Sequence, residues 1–356
     1  MNESLSLPSG QQRARTRWNT HTTGAAFDRK KVAYLSDQVQ TFIAQQAFCV
    51  MTGPEAKEEL CGLMVSGRPG FVQTLDSYTC MLELDEQLMG TCFVQELYHS
   101  SEAGRSTPVG LFFISHPTRE RLCVQGVAKV FARYVLDGQQ GPQFRCLLYV
   151  SVRQAFFHCP KYIHTRIAGL TCVQTASPAV RISYQEWQLQ NLAGRRCTFL
   201  SEAVRDFIAR QALCFICTID QQGHCAVNHR GGARGFLVTL PPDGILPGGT
   251  IVLPDYAGNG AFEAIGNILE TGQVTLVIPD YTMHLALSIS GVANVVELNA
   301  LSSDLACRCV GAERVVALAV QRVEVQRGDW KVPLAYERAR ASSIAMQRKQ
   351  DVVCRV

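Results

Sequence analysis

Long apolar runs are missing from this sequence. No stretch approaches the ~20 residues that a helix needs to cross a bilayer, so no membrane partner is expected. No apolar leader follows Met1 either, and the expectation is a cytoplasmic protein with reduced thiols. A strong charge imbalance is also lacking: the net charge is +4 over 356 residues. Its basic excess gathers at the ends, in Arg13, Arg15, Arg17, Lys30 and Lys31 and again in Arg338, Arg348 and Arg355, where it reads as solvated arms, and no nucleic-acid partner follows from it. Metal-ligand spacing is absent despite 15 cysteines. Cys214 and Cys217 form C-x-x-C, but within LCFICTI, a strand-like run in which positions i and i+3 face opposite sides. Cys307 and Cys309 have no second ligand pair nearby, so no metal site is expected. Many cysteines lie in apolar runs, as Cys49, Cys146, Cys214 and Cys217 do, where a thiol acts as a small hydrophobe.

What the chain does contain is ample apolar residue for a core, 47% against 18% charged, over a length that suits two domains. It also contains a repeat. LSDQVQTFIAQQAFCVMTG from Leu35 matches LSEAVRDFIARQALCFICTI from Leu200, 165 positions on. The same offset relates Gly70-Phe71 to Gly235-Phe236 and Gly126-Val127-Ala128 to Gly291-Val292-Ala293. Each copy opens with a serine N-cap (Ser36, Ser201), continues at helical spacing, and enters short Val/Ile/Leu-rich strands. That pattern predicts a mainly β fold with flanking helices (α+β), each copy a closed or partly closed barrel. The division expected is an N-terminal arm over 1–31, a first domain over 32–170, a linker over 171–198, a second domain over 199–338, and a basic tail over 339–356.

The copies differ where chemistry could sit. Copy 2 carries Asn228-His229-Arg230-Gly231-Gly232 where copy 1 has Met64-Val65-Ser66-Gly67. It then carries Asp255-Tyr256-Ala257-Gly258-Asn259 and Asn267, which a constant offset of 165 sets against Gly90, Val94 and Glu102 for Asp255, Asn259 and Asn267. Copy 1 alone ends in His158-Cys159-Pro160-Lys161-Tyr162-Ile163-His164-Thr165-Arg166. An arginine beside paired glycines offers a guanidinium fork and a closely approachable backbone, which suits a phosphate. Asn259 and Asn267 are expected to flank a short helix whose N-terminus favours an anion, and Asn side chains can both donate and accept toward a planar heterocycle. The plainer alternatives stand beside these: HRGG as a tight turn with Arg230 in an ion pair, Asn259 as a helix N-cap, and His229 as a structural hydrogen-bonder.

NHRGGARGF, LPDYAGN, GNI and HCPKYI together resemble the FMN-binding split-barrel superfamily, the pyridoxamine-5′-phosphate-oxidase-like proteins, over roughly residues 27 to 338. The resemblance implies two tandem six-stranded split barrels forming an intrachain pseudo-dimer, with FMN between them. By that resemblance Arg230 contacts phosphate, His229, Gly231 and Gly232 shape its loop, and Asp255, Tyr256, Asn259 and Asn267 line the cleft. Lys161, Tyr162 and Arg166 come from the opposite barrel. A fused pair of barrels can let one of its two equivalent interface sites decay, which predicts one composite site per chain and a mirror-image cleft, lined by Met64, Val65 and Val94, that binds nothing. The function expected is an FMN-dependent oxidoreductase acting on a small molecule, with a reduced nicotinamide as electron donor, in a monomer or a homodimer. His229, Tyr256 and His164 are the candidates for proton transfer. The alternatives are a flavin- or haem-binding protein without turnover, and a structural partner with a decayed site.

Overall fold

In the computed structural model the described residues are 9–55, 59–137, 141–163, 184–328 and 330. Two short helices come first, α1 (Ser9–Arg17) and α2 (His21–Asp28). The first repeat follows with α3 (Asp37–Ala44), β1 (Phe48–Glu55), β2 (Glu59–Ser66), β3 (Val72–Thr74) and β4 (Thr79–Leu84). It continues with α4 (Glu86–Met89), α5 (Cys92–Glu102), β5 (Thr107–Ser115), β6 (Glu120–Asp137) and β7 (Gly141–Phe157). After α6 (Tyr184–Asn191) and β8 (Arg196–Cys197), the second repeat runs through α7 (Glu202–Ala209), β9 (Leu213–Ile219), β10 (Cys225–Gly231), β11 (Val238–Leu240) and β12 (Thr250–Tyr256). It closes with α8 (Glu263–Thr271), β13 (Gln273–Asp280), β14 (Leu285–Glu297), α9 (Ser303–Arg308) and β15 (Ala312–Arg327).

The duplication is visible in the strand order. One sheet runs β2-β1-β5-β6-β7-β4-β3 and the other β10-β9-β13-β14-β15-β12-β11, the same path with each strand replaced by its counterpart. Both sheets are antiparallel throughout these ladders, and each closes around its own apolar core. The strands in each path number seven where six were expected; the three-residue β3 and β11 account for the seventh. Ser36 and Ser201 both cap as their sequences foretold, accepting from Val39 N and Val204 N with nearly identical backbone angles. Both long strand pairs carry a bulge, at Gln125/Gly126 and at Ser290/Gly291. Glycine is needed there, because a Cβ on Gly126 or Gly291 would collide with the carbonyl of Ser151 or Ala319.

The offset between copies is not constant. Val152 lies opposite Gly126, and Val320 opposite Gly291. Following the next ladder, Thr79 pairs with Ser151 and Thr250 with Ala319, so β4 and β12 are 171 positions apart. Asp255 therefore corresponds to Leu84, not Gly90, because the loop before β12 is longer than the loop before β4. By β5 and β13 the spacing has returned to 165, Val109 opposite Gly126 and Val274 opposite Gly291.

The two barrels meet through a third apolar cluster that takes Phe48, Val50, Met64 and Phe112 from the first and Phe215, Cys217, Val227 and Val277 from the second. Cys214 belongs to the core of the second barrel and Cys217 to this junction, so the two thiols do face opposite sides of β9. His116 and Tyr281, 165 positions apart, bring their rings to 6.2 Å of each other, which marks the pseudo-twofold axis. Thr275 and Ser288 of the second barrel donate to Leu60 O and Gly62 O of the first, at 2.6 and 2.8 Å.

Two expectations about the ends change. Residues 9–31 are not a solvated arm: Arg15 is 2% exposed, and α1 lies against α8 of the second barrel. Favourable packing on that helix outweighs the basic composition. The linker's second half also joins the fold, since Leu189 is buried in the second core and Cys197 pairs with Val323. His164, Arg166 and the tail over 339–356 lie outside the described residues. Among the described residues no helix is long and apolar enough to cross a membrane.

Candidate functional site

A cleft at the junction draws its lining from both barrels: Arg121, His158, Cys159, Lys161 and Tyr162 from the first, and Asn228–Gly231, Pro254–Tyr256 and Gly258–Ile265 from the second. Of the residues singled out from the sequence, the structure brings together His229, Arg230, Gly231, Asp255, Tyr256, Asn259, Lys161 and Tyr162. Gly232 and Asn267 are not part of the lining. Gly232 packs against Phe236, as its counterpart Gly67 packs against Phe71, so this glycine serves a turn that both copies share. Asn267 lies in the middle of α8, 2% exposed, and its Nδ2 donates to Thr218 Oγ1 at 3.1 Å. It faces the barrel core because the helix begins later than expected, at Glu263.

His229, Arg230 and Gly231 are the end of strand β10, with Gly232 just beyond it, and not a tight turn. Strand alternation buries His229 against the junction while Arg230 points to the cleft. Gly231 is required by a close approach: a Cβ there would meet the carbonyl of Tyr162 arriving from the first barrel. Tyr162 holds a left-handed backbone (φ 60), its hydroxyl donates to Ala257 O at 3.0 Å, and its ring lies 5.6 Å from that of Tyr256. Burial raises the Tyr256 phenol above its ordinary value, with Cys309 and Tyr162 adding to the effect. Asn259 Oδ1 accepts from Ala261 N at 3.1 Å and so fixes the loop, while the helix N-cap is Phe262.

Three cationic side chains line the cleft, Arg121, Lys161 and Arg230, against two carboxylates, Asp255 and Glu263. Arg230 Nη1 sits 2.8 Å from Asp255 Oδ1, and Arg314 Nη1 sits 2.7 Å from Asp255 Oδ2, so one buried carboxylate serves two guanidinium groups. Arg230 Nε is buried with no partner. Arg121, at the start of β6, was not foreseen as a site residue. Its side chain donates to Cys159 O through Nε (2.7 Å) and Nη2, and Nη1 lies 3.3 Å from His229 Nδ1. Burial pushes the Arg121 guanidinium down to about 10, and the charge on Arg230 adds to this. A guanidinium can only donate, so His229 Nδ1 is the acceptor and its ring proton is on Nε2. That neutral tautomer makes His229 a donor at its other nitrogen.

His158 is half-buried beside Phe27, Phe112 and Phe156. Burial, with Arg121, Lys31 and Arg230 nearby, holds its pKa well below the ordinary value, so the imidazole is neutral. Cys123, His158 and Glu263 each bring a potential ligand atom within 4.8 Å of the others. Their surroundings oppose a cation: Lys31 Nζ is 3.6 Å from Glu263, and burial followed by the Glu263 charge keeps Cys123 a thiol.

The pseudo-symmetric position is closed. Gln326 stands where His158 stands in the first copy, and it grips the backbone of Met64, accepting from N at 3.0 Å and donating to O at 2.6 Å. Trp330, the counterpart of Tyr162, is buried at 2% exposure in the junction cluster. Met64 and Val65 lie buried where His229 and Arg230 lie in the second copy.

No protein-family model matches the sequence, and no curated protein matches it. Solved structures do. The chain is similar to HupZ of Group A Streptococcus (16% identity, 35% of this chain and 90% of that one, TM-score 0.27). It is similar to a putative pyridoxamine 5′-phosphate oxidase from Lactobacillus delbrueckii (14%, 36% and 98%, TM-score 0.26). It is also similar to HutZ, the heme storage protein from Vibrio cholerae (15%, 37% and 97%, TM-score 0.24). One of these three carries the pyridoxamine 5′-phosphate oxidase name, and each match covers little more than a third of this chain.

Proposed function

We propose that this chain is an FMN-binding split-barrel protein, an oxidoreductase acting on a small molecule, with one cofactor site per chain at the junction of its barrels. The observation that carries the reading is the cationic cleft itself. Among the described residues Arg121 is buried without a carboxylate partner, Arg230 shares its carboxylate with Arg314, and Lys161 lines the same wall, which leaves donors for an anionic group. The residues present fit FMN: guanidinium groups for its phosphate, the N-terminal turn of α8 beside them, and the Tyr162 and Tyr256 rings as apolar faces. When bound, the flavin supplies the electron transfer. The chain's own residues position it and exclude water. Arg121 holds His229 in the tautomer that keeps a proton on Nε2, and Tyr256, with its phenol protonated, offers a hydroxyl at the rim. A reduced nicotinamide is the donor we expect.

A haem-holding role is the second reading. It is favoured by the neutral imidazole of His158, whose Nε2 is buried without a hydrogen-bond partner. The absorbance spectrum of the purified, reconstituted protein separates the readings. Flavin bands that bleach on anaerobic titration with NADH or NADPH support the first. A Soret band supports the second, and no binding of either chromophore refutes both.

A further inference from the structure

The N-terminal segment is tied to the cleft by more than packing. Helix α1 crosses α8 where Gly10 and Gly266 meet, and a Cβ on either would collide with the backbone of the other helix. Arg13 Nη2 donates to Leu269 O at 2.7 Å, and Ser9 Oγ to Glu270 Oε1 at 2.8 Å. Arg15 spans Asp28 with both terminal nitrogens (2.6 and 3.1 Å) and donates to Ala261 O at 3.2 Å. The first contacts hold α8, and the bond from Arg15 to Ala261 reaches the loop over 258–263 that forms one wall of the cleft.

Within that loop Phe262 has φ 54, a left-handed conformation that a bulky residue adopts only when its surroundings impose it. Its ring lies 5.2 Å from that of Trp18. The Arg314 guanidinium sits 4.3 Å from the Trp18 ring centre and 4.9 Å from that of Phe262, held against both rings. Arg314 then gives one nitrogen to Asp255 Oδ2, which leaves Oδ1 for Arg230. A series of direct contacts therefore runs from Trp18 through Arg314 and Asp255 to Arg230.

We propose that Trp18 is a positioning residue for the cleft: by fixing Arg314 against Asp255 it leaves Arg230 bound through a single nitrogen, with the rest of its fork turned to the ligand's anionic group. With Arg314 released, Asp255 is free to take Arg230 fork to fork, the geometry that carboxylate and guanidinium prefer, and those donors are withdrawn from the cleft. Docking of residues 9–31 and capture of the anionic group are then coupled, and the coupling is reciprocal. The ligand assignment rests on the FMN reading; the series of contacts does not.

The test uses the full chain, with FMN and riboflavin titrated by flavin fluorescence against wild type, Trp18→Leu and Trp18→Phe. Leucine keeps apolar bulk without a π face, and phenylalanine keeps the face. Trp18→Leu is expected to weaken FMN about tenfold, leave riboflavin within about twofold, and be rescued in Trp18→Phe. Equal losses for both ligands would show a merely structural role and overturn the proposal, as would no loss for FMN. If wild type binds neither flavin, the cofactor reading fails and the relay is decided by thermal unfolding of wild type, Trp18→Leu, Arg230→Gln and the double variant. Shifts in midpoint that do not add support the relay. Additive shifts overturn it.

Discussion

Asp255 and Arg230 touch each other, yet their removal should have opposite consequences. Asp255 and Arg314 are both buried, with side chains 6% and 3% exposed, whereas Arg230 is 24% exposed. Asp255→Ala takes the buried carboxylate from Arg314, which keeps only Glu313 on the surface and the two aromatic faces. Breaking a buried pair in this way costs about 3–5 kcal/mol, and the surviving interactions of Arg314 set the expectation at about 3. For a domain of this size that lowers the melting midpoint by roughly 6–12 °C. Arg230→Ala leaves Asp255 with Arg314, so the loss of stability should be about 1 kcal/mol or less, as for a partly exposed pair. Its effect falls on the ligand: without the charge-assisted hydrogen bond from Arg230, FMN affinity should drop by about 1.5–3 kcal/mol, roughly tenfold to 150-fold, with riboflavin unaffected. Differential scanning fluorimetry and flavin titration on both variants read the two quantities separately. If Arg230→Ala melts as early as Asp255→Ala and binds FMN as wild type does, Arg230 is a structural partner and the phosphate assignment is wrong.

FMN should bind at about one per chain, since Gln326 and Trp330 close the second junction site; isothermal titration giving two equivalent sites refutes this. Native thiol labelling followed by peptide mapping should find the exposed Cys92 and Cys307 well ahead of Cys214 and Cys217, whose thiols burial pushes up to about 12. His158 has a folded pKa depressed below 6.5, so the unfolded chain binds the extra proton, and stability present above pH 6.5 is lost as pH falls toward the folded value. His158→Gln, which imports the residue found at position 326, should flatten that dependence by up to about 1.4 kcal/mol per pH unit; parallel stability-versus-pH curves for the two proteins contradict it.

The duplication was legible because its landmarks are local: a serine cap before an amphipathic helix, and a glycine at a bulge, look the same in sequence as in space. Asp255 was set against the wrong partner because the offset shifts to 171 over β4 and β12 and then returns, and landmarks outside that stretch cannot register it. Arg121 was missed because a lone arginine in ERLCVQ carries no motif. Its meaning comes from His229 standing opposite, over a junction that local spacing does not encode. One signal was available: its counterpart in the second copy is Ala286, so a charge stands where the duplicate is apolar. In residues 9–31 basic composition hides the packing, because Gly10 and Ala14, small residues one helical turn apart, form the face that meets α8.

Arg15 and Ala261 are 246 positions apart in the chain and joined by a hydrogen bond in the fold. On a ribosome adding about 5–20 residues per second, the partner loop of that arginine is made roughly 12–50 s after it. Throughout that interval the first barrel can fold and Phe27 of α2 can pack on Phe156, but α1 lacks the α8 surface it lies on, and the apolar face of Phe48, Val50 and Phe112 awaits its counterpart. A helix made ahead of both barrels is thus among the last elements to settle. Because its docking completes one wall of the cleft, whose lining comes from both barrels, the cleft cannot form on a partial chain: it is deferred until both barrels have been made and have met.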